Sequence, residues 1–152
     1  MSTVCLVGPS DSGKTTLLTA LVSELGDYGR VATVKSIHHD IEIDTPGKDT
    51  YRHREAGADT VVGLTPSLSF QVTTGGKDAA ESEPALLEAT VDRLHDEGYE
   101  FVLVEGFGAS TYPKIAVGER ADIEPPVVVR GTADTLDPAE LAADIADGTL
   151  ID

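Results

Sequence analysis

An eight-residue turn, Gly8-Pro9-Ser10-Asp11-Ser12-Gly13-Lys14-Thr15, separates an apolar run from an amphipathic stretch near the start of the chain. The apolar run, residues 4–7, has the composition of a buried strand, and leucines recur at helical spacing over residues 15–25. Glycine lets successive N–H groups of such a turn converge on phosphate oxygens, and the helix N-terminus adds partial positive charge. Strand, turn and helix in this order predict a phosphate-binding loop for a nucleoside triphosphate.

The side chains of this loop have distinct expected roles. Lys14 is expected to contact the terminal phosphates of the nucleotide, and the Thr15 hydroxyl to help hold Mg²⁺. Asp11 is expected to point outward, because a carboxylate repels a polyanion. The remaining phosphate contacts are expected from Gly8, Ser10, Ser12, Gly13 and Thr16.

The rest of the chain alternates apolar runs with segments of helical periodicity. Strands are predicted at residues 31–34, 101–104, 115–117 and 127–129, and helices at residues 84–97 and 137–146. This alternation predicts one α/β domain over residues 1–152, a P-loop NTPase with a mostly parallel sheet and helices on both faces.

Residues 36–83 interrupt this pattern. Two short strands around Pro66, residues 60–64 and 68–72, predict a small β-hairpin insertion. Before them, the polar residues 36–46 predict a functional loop or a short hairpin, and residues 49–56 a short charged helix. Residues 73–83 have the composition of a linker and are expected to be mobile.

Two carboxylates are candidates for holding a metal and assisting hydrolysis beside Lys14. Glu105 ends an apolar strand, where phosphate-loop proteins place a metal-holding acid; a cap at the edge of the sheet is the alternative. Asp44 begins Asp44-Thr45-Pro46-Gly47, which is like the Asp-x-x-Gly switch of GTP-binding proteins but also has the composition of an ordinary turn.

A second group of candidates follows the second strand. Lys35, His38 and His39 leave that strand towards the same end of the sheet as the phosphate loop. Adjacent histidines on an extended chain point to opposite sides, so anion or substrate contact is favoured over metal binding.

Basic residues are scarce in this chain, and several fall in one region. Lys48 and Arg52 lie one helical turn apart and can face the same way, which favours binding of a polyanionic ligand; a solvated charged face is the alternative. Lys114 and Arg120 are expected to add to this anion-binding surface.

The charge balance excludes some partners. The chain has 27 acidic and 11 basic residues, a net charge of −16, which disfavours binding to nucleic acid and to anionic membranes. Because the acids are spread along the chain, we expect a protein adapted to molar salt; an acidic partner-binding face is the alternative. The lone Cys5, the absence of a leader pattern and the absence of a membrane-length apolar run predict a cytoplasmic protein.

Three segments together resemble the molybdopterin-guanine dinucleotide biosynthesis protein B family, MobB. They are residues 8–16, residues 35–52 and Val104-Glu105-Gly106-Phe107. The central segment of that family looks like Lys-x-x-His-His-x-x-x-x-Asp-x-Pro-Gly-Lys-Asp-Ser/Thr-x-Arg. The matching residues here are Lys35, His38, His39, Asp44, Pro46, Gly47, Lys48, Asp49, Thr50 and Arg52, followed by Ala56-Gly57-Ala58 and, later, Pro113-Lys114-Ile115.

The resemblance implies a dimeric GTP-binding protein with weak GTPase activity that uses Mg²⁺. Its implied partner is the guanylyltransferase that attaches GMP to molybdopterin, and the pterin contacts either this chain or that enzyme alone. Two departures from the family stand out. The lysine usual after Val-Glu-Gly-Phe is Gly108 here, and residues 73–83 match no family feature.

Guanine recognition lacks its usual signal, since neither Asn-Lys-x-Asp nor Thr-Lys-x-Asp is present. Asp134 follows a late strand where such a motif would lie, so it is either a guanine contact or a helix-leading cap or turn residue. A small P-loop kinase, a metal-insertion GTPase and a non-hydrolysing adapter are the other functions considered. The kinase is disfavoured because residues 73–83 contain no arginine for a lid, and metal insertion because no His-rich or Cys-rich tract is present.

Overall fold

A computed structural model describes residues 1–118 and 122–150, in which it has seven strands, four α-helices and one short 3₁₀ helix. The strands are β1 Ser2–Val7, β2 Val31–Lys35, β3 Thr60–Leu64, β4 Ser69–Thr73, β5 Phe101–Glu105, β6 Lys114–Val117 and β7 Val127–Gly131. The helices are α1 Lys14–Leu25, α2 Asp49–Glu55, α3 Glu83–Asp96 and α4 Pro138–Asp147. These elements form two units, Met1–Ser36 with Ser82–Asp152, and Ile37–Glu81.

The first unit is built on a five-stranded sheet with the order β2-β5-β1-β6-β7. Every neighbouring pair is parallel, so each connection must cross over; within the described residues, helices lie in the connections from β1 to β2 and from β2 to β5. β1 lies in the middle, as its unbroken burial requires, because both of its faces are covered.

Helices pack on both faces of this sheet, as predicted. On one face, α1 and α4 bury Leu21 and Ile145 against strand residues such as Leu6. On the other face, α3 buries Leu87 and Val91 in a cluster that includes Cys5. The pleat explains this division, since Cys5 and Leu6 are neighbours in β1 and point to opposite faces.

The starts of the later helices follow from local capping chemistry. The Ser82 side chain accepts a hydrogen bond from the Ala85 N–H at 3.2 Å, and Asp137 accepts one from the Ala139 N–H at 3.0 Å. Proline follows each cap within two residues, where its missing N–H leaves no helical hydrogen bond unmade. α4 then ends at Gly148, whose left-handed conformation suits glycine.

The second unit contains α2 and an antiparallel hairpin of β3 and β4, which confirms the hairpin insertion. Residues 36–48 contain no strand, so the loop interpretation of residues 36–46 is correct and the hairpin interpretation is wrong. The linker-like residues 73–83 contain a short 3₁₀ turn at Gly76–Ala79.

No helix in the described part of the chain is long and apolar enough to cross a membrane.

Candidate functional site

The phosphate loop connects β1 to α1. At two of its glycines, neighbouring atoms lie so close that they leave no room for a Cβ. A Cβ on Gly8 would lie 2.1 Å from the carbonyl oxygen of Val117, at the end of β6. Gly13 has a φ of 90°, and a Cβ there would lie 2.6 Å from the Cβ of Ala133. The loop is therefore packed between the end of β6 and the turn that follows β7, so a larger residue at either position would require its neighbour to shift.

Two polar groups of the loop are turned inward. The Lys14 ammonium donates a hydrogen bond to the Gly8 carbonyl at 2.6 Å. The Ser12 hydroxyl oxygen is buried and has no protein partner among the described residues, so a ligand oxygen would satisfy it. Asp11 is exposed, as expected. Ser10, Thr15 and Thr16 are also exposed.

Glu105 lies beside this loop. Its residue register pairs it with Leu6 of β1 on one side and with Lys35 of β2 on the other, so it occupies the interior of the sheet and is not an edge cap. One carboxylate oxygen, Oε1, accepts a hydrogen bond from the Thr15 hydroxyl. The other, Oε2, lies 3.2 Å from the Lys35 ammonium. The structure thus brings Thr15, Glu105 and Lys35 together at the carboxyl end of the sheet.

The environment of Glu105 favours its ionised form. Burial alone would raise its pKa, but the Thr15 hydrogen bond, the Lys35 ion pair and the charge of Lys14 together outweigh burial and hold the pKa below its usual value. At neutral pH this carboxylate is therefore charged.

The oxygen atoms of Glu105 and Thr15 fit Mg²⁺, which prefers hard oxygen ligands and commonly takes only one or two from protein, with water and phosphate supplying the rest. Within residues 1–118 and 122–150, no cluster of three His, Cys, Asp or Glu side chains could hold a metal without such help. The donor set suits a cation that arrives with a nucleotide.

Asp134 lies in an exposed turn between β7 and α4. The turn is closed by a hydrogen bond from the Thr135 N–H to the Thr132 carbonyl at 3.1 Å, and its Ala133 is the residue that meets Gly13. Asp137, and not Asp134, caps α4, so the cap interpretation of Asp134 is wrong. Asp134 is a turn residue that borders the phosphate loop.

In the second unit, Asp44 organises the turn before α2. Its φ is 73°, and its carboxylate accepts hydrogen bonds from the Thr45 N–H at 2.8 Å and from the Thr50 hydroxyl. The hydrogen bond from Thr50, and then that from Thr45, lowers the pKa of Asp44. Both oxygens of this carboxylate have partners within its own turn and helix.

The other candidates in the second unit are free of such contacts. Arg52 donates its backbone N–H to the Lys48 carbonyl at 2.9 Å, which places the two residues one helical turn apart, as predicted. Lys48, Arg52, His38 and His39 are all exposed, and their side chains form no hydrogen bond or ion pair with any described residue. They are available to a ligand.

Lys114 corrects one expectation, because it is fully buried and does not belong to an anion-binding surface. Its ammonium donates to the carbonyl oxygens of Ser110, Tyr112 and Pro125. Burial lowers its pKa, an effect that Cys5 and Glu124 partly oppose. Three backbone acceptors replace the water that a lysine needs, so it tolerates the interior. Arg120, the other residue of that expectation, lies outside the described residues.

A small pocket beside the phosphate loop contains residues that the sequence did not indicate. It is lined by Val7, Gly8, Gly108, Asp122, Ile123 and Glu124. The last three lie in no motif, so no local signal could have identified them. Gly108 has no atom within 4 Å of where a Cβ would stand, so the departure from the family at this position leaves open space.

A phosphate loop between a central parallel strand and a helix, with an acid at the end of the strand that neighbours it in the sheet, defines the class of P-loop NTPases. Residues 3–136 match the family described as molybdopterin guanine dinucleotide synthesis protein B, MobB. The chain belongs to this family.

Two curated relatives support this membership. A Haemophilus influenzae protein named molybdopterin-guanine dinucleotide biosynthesis adapter protein is 33% identical over 121 residues, which cover 79% of this chain and 65% of that protein. An Escherichia coli protein of the same name is 34% identical over 110 residues, covering 71% and 60%. The chain therefore spans less than two thirds of the length of either relative.

Solved structures show the same fold. A crystal structure of molybdopterin-guanine biosynthesis protein B (mobB) aligns with a TM-score of 0.58 at 27% identity, covering 76% of this chain and 68% of the other. A crystal structure of Bacillus subtilis MobB aligns with a TM-score of 0.64 at 23% identity, covering 86% and 77%.

Proposed function

We propose that this chain is a GTP-binding accessory protein with weak GTPase activity in the biosynthesis of molybdopterin guanine dinucleotide. It assists the guanylyltransferase that attaches GMP to molybdopterin. The observation that carries the proposal is the contact of Thr15 and Lys35 with Glu105 beside the phosphate loop. The names of the two curated relatives, both adapter proteins of molybdopterin-guanine dinucleotide biosynthesis, support the pathway.

In this proposal the loop residues Gly8, Ser10, Ser12, Gly13, Lys14, Thr15 and Thr16 bind the phosphates. The buried hydroxyl of Ser12 supports this assignment, since it has no hydrogen-bond partner among the described residues and a phosphate oxygen would provide one. Thr15 and Glu105 hold Mg²⁺, which when bound neutralises charge on the terminal phosphates. Lys14 exchanges the Gly8 carbonyl for a phosphate oxygen, a stronger acceptor because it is charged.

Asp44 completes the proposed catalytic set, with Lys14 and Glu105, and contributes to metal binding. Two observations suit a switch segment: Asp44 itself has a positive φ, and so has Gly47, the last residue of Asp44-Thr45-Pro46-Gly47. Release of the Thr50 hydroxyl would free one Asp44 oxygen for the metal shell. A carboxylate that must first leave its own turn would make hydrolysis slow.

The remaining contacts are assigned by chemistry. Lys35, His38, His39, Lys48 and Arg52 contact anionic groups of the nucleotide or of the pterin. For guanine, we assign Asp134, whose turn borders the loop and whose carboxylate suits the two N–H donors of the base edge.

The proposed setting is a homodimer in a cytoplasm of high salt. The net charge of −16 supports the high salt, since dense like charge is tolerated best where salt screens it. The homodimer rests on the family resemblance alone.

Equilibrium binding of fluorescent GTP and ATP, measured with Mg²⁺ in molar KCl, tests the proposal. We expect preference for GTP, loss of binding in Lys14→Ala, and unchanged binding in the control Lys77→Ala, which removes the one lysine outside the motif segments. Capture of the guanylyltransferase by the tagged protein tests the partner.

Two outcomes would overturn the proposal. Clear ATP preference with phosphorylation of a metabolite would identify a kinase. Wild-type GTP affinity in Lys14→Ala would refute the site assignment.

A further inference from the structure

Each oxygen of the Glu105 carboxylate already has a cationic or hydroxyl partner. Oε1 accepts from Thr15, and Oε2 pairs with the Lys35 ammonium at 3.2 Å. Lys35 therefore stands against one of the two oxygens of the acid that the proposed function assigns to Mg²⁺.

The two partners of this ion pair differ in freedom. The Glu105 side chain is 9% exposed and belongs to β5, an interior strand, whereas the Lys35 side chain is 61% exposed and ends β2, an edge strand of the sheet. The backbone next to Lys35 is held, because the Ser36 N–H donates to the Glu105 carbonyl at 2.9 Å. Only the lysine side chain can leave at low cost, since solvent can take up its ammonium.

Charge makes the pair sensitive to a second cation. Lys35 and Lys14 already place two positive charges near a single carboxylate. A divalent cation at Glu105 would be repelled by Lys35 until phosphate groups add negative charge to the same site.

We propose that Lys35 competes with Mg²⁺ for Glu105 and thereby makes metal binding depend on nucleotide. The inference rests on the proposed function, in which Thr15 and Glu105 hold the metal. Without nucleotide, Lys35 neutralises the carboxylate and disfavours the metal. With a nucleoside triphosphate, Lys35 leaves Oε2 and contacts the terminal phosphate. Lys35 is then a positioning and specificity residue that distinguishes triphosphate from diphosphate.

The test is the affinity of Lys35→Met for a divalent cation. Mn²⁺, which substitutes for Mg²⁺ and is visible by electron paramagnetic resonance, is titrated into the protein in molar KCl without nucleotide, with GDP and with GTP. Without nucleotide and with GDP, Lys35→Met is expected to bind Mn²⁺ about three- to fivefold more tightly, as removal of one partly exposed ion pair permits. The ratio of its Mn²⁺ affinity with GTP to its Mn²⁺ affinity with GDP is expected to fall by a similar factor.

Matched variants separate competition from general charge. Lys77→Met makes the same change in net charge outside the motif segments and is expected to leave Mn²⁺ affinity unchanged. Lys35→Arg keeps a cation, and its Mn²⁺ affinity is expected to stay within twofold of that of the wild type. The double variant Lys35→Met, Glu105→Gln is expected to lose the gain, which assigns it to this carboxylate.

Unchanged or weakened Mn²⁺ binding by Lys35→Met in the absence of nucleotide would overturn the inference, as would an equal gain in Lys77→Met. Failure of the proposed function has a different signature, because the wild type would then bind neither GTP nor GDP. The titration without nucleotide still tests the competition in that case.

Discussion

Substitution of Gly13 by alanine tests the packing of the phosphate loop against the turn after β7. The left-handed backbone of Gly13 costs an L-residue about 1 kcal/mol. Its Cβ would also lie 2.6 Å from the Ala133 Cβ, where carbon atoms prefer about 3.5–4.0 Å. Overpacking of this kind costs about 1–3 kcal/mol, and the lower end applies because Ala133 is exposed and its turn can shift. We therefore expect Gly13→Ala to lower the free energy of unfolding by about 2 kcal/mol.

Gly148 provides the matched control. It has a φ of 82°, close to that of Gly13, but nothing lies within 4 Å of its Cβ position. Gly148→Ala should therefore carry the backbone cost alone, about 1 kcal/mol. Urea denaturation in molar KCl, followed by circular dichroism, measures both variants.

A double variant isolates the contact itself. Ala133→Gly removes the opposing methyl group, so Gly13→Ala combined with Ala133→Gly should be about 1 kcal/mol more stable than additivity predicts. If Gly13→Ala and Gly148→Ala destabilise equally and the double variant is additive, the turn does not press on the loop. The steric argument, and the support it gives to Asp134 as a guanine contact, would then fail.

Three further predictions concern charge. Lys114→Met should lower the free energy of unfolding by about 2–4 kcal/mol in urea denaturation, because the carbonyls of Ser110, Tyr112 and Pro125 lose a charged donor. Lys48→Met, which removes an exposed ammonium, should change it by less than about 0.5 kcal/mol. Glu105, whose pKa lies below its usual value, should contribute stability that is present above pH 4.5 and is lost as the pH falls through its lower folded-state pKa. The free energy of unfolding of Glu105→Gln, measured as the pH is lowered, should lack this contribution. The same pH dependence in Glu105→Gln and the wild type would contradict the prediction. The melting temperature should rise from low to molar KCl, and a flat response would exclude adaptation to salt.

The elements of the fold were predictable because their signals are local. Helical spacing of apolar residues, Asp137 before Pro138, and a glycine after each helix lie within a few positions of the structure that they specify. The meeting of Thr15 with Glu105 was also predictable, although 90 residues separate them, because parallel strands bring their carboxyl ends to one edge.

Lys114 shows where such prediction ends. Its charge indicated an exposed ligand contact. Its burial depends on three carbonyls, at positions 110, 112 and 125, which only the folded chain brings together. The apolar residues Ile115, Ala116 and Val117 after it were the one local hint of a buried strand. For the contact between Gly13 and Ala133, no local hint exists, since it depends on how two loops from different strands pack.

The correction to Lys114 changes what the scarcity of cations means. One of the five lysines, Lys114, is buried in the interior. The positions of lysines in the sequence therefore do not identify phosphate sites, whereas the groups that each lysine contacts do. Lys14 and Lys35 are held at 2.6 Å and 3.2 Å by groups of the candidate site. At molar salt the Debye length is about 3 Å, so attraction over longer distances is lost while contacts of this length persist. At such salt concentrations a phosphate site would therefore rely on short charge contacts, and Lys14 and Lys35 make contacts of this length at the carboxyl end of the sheet.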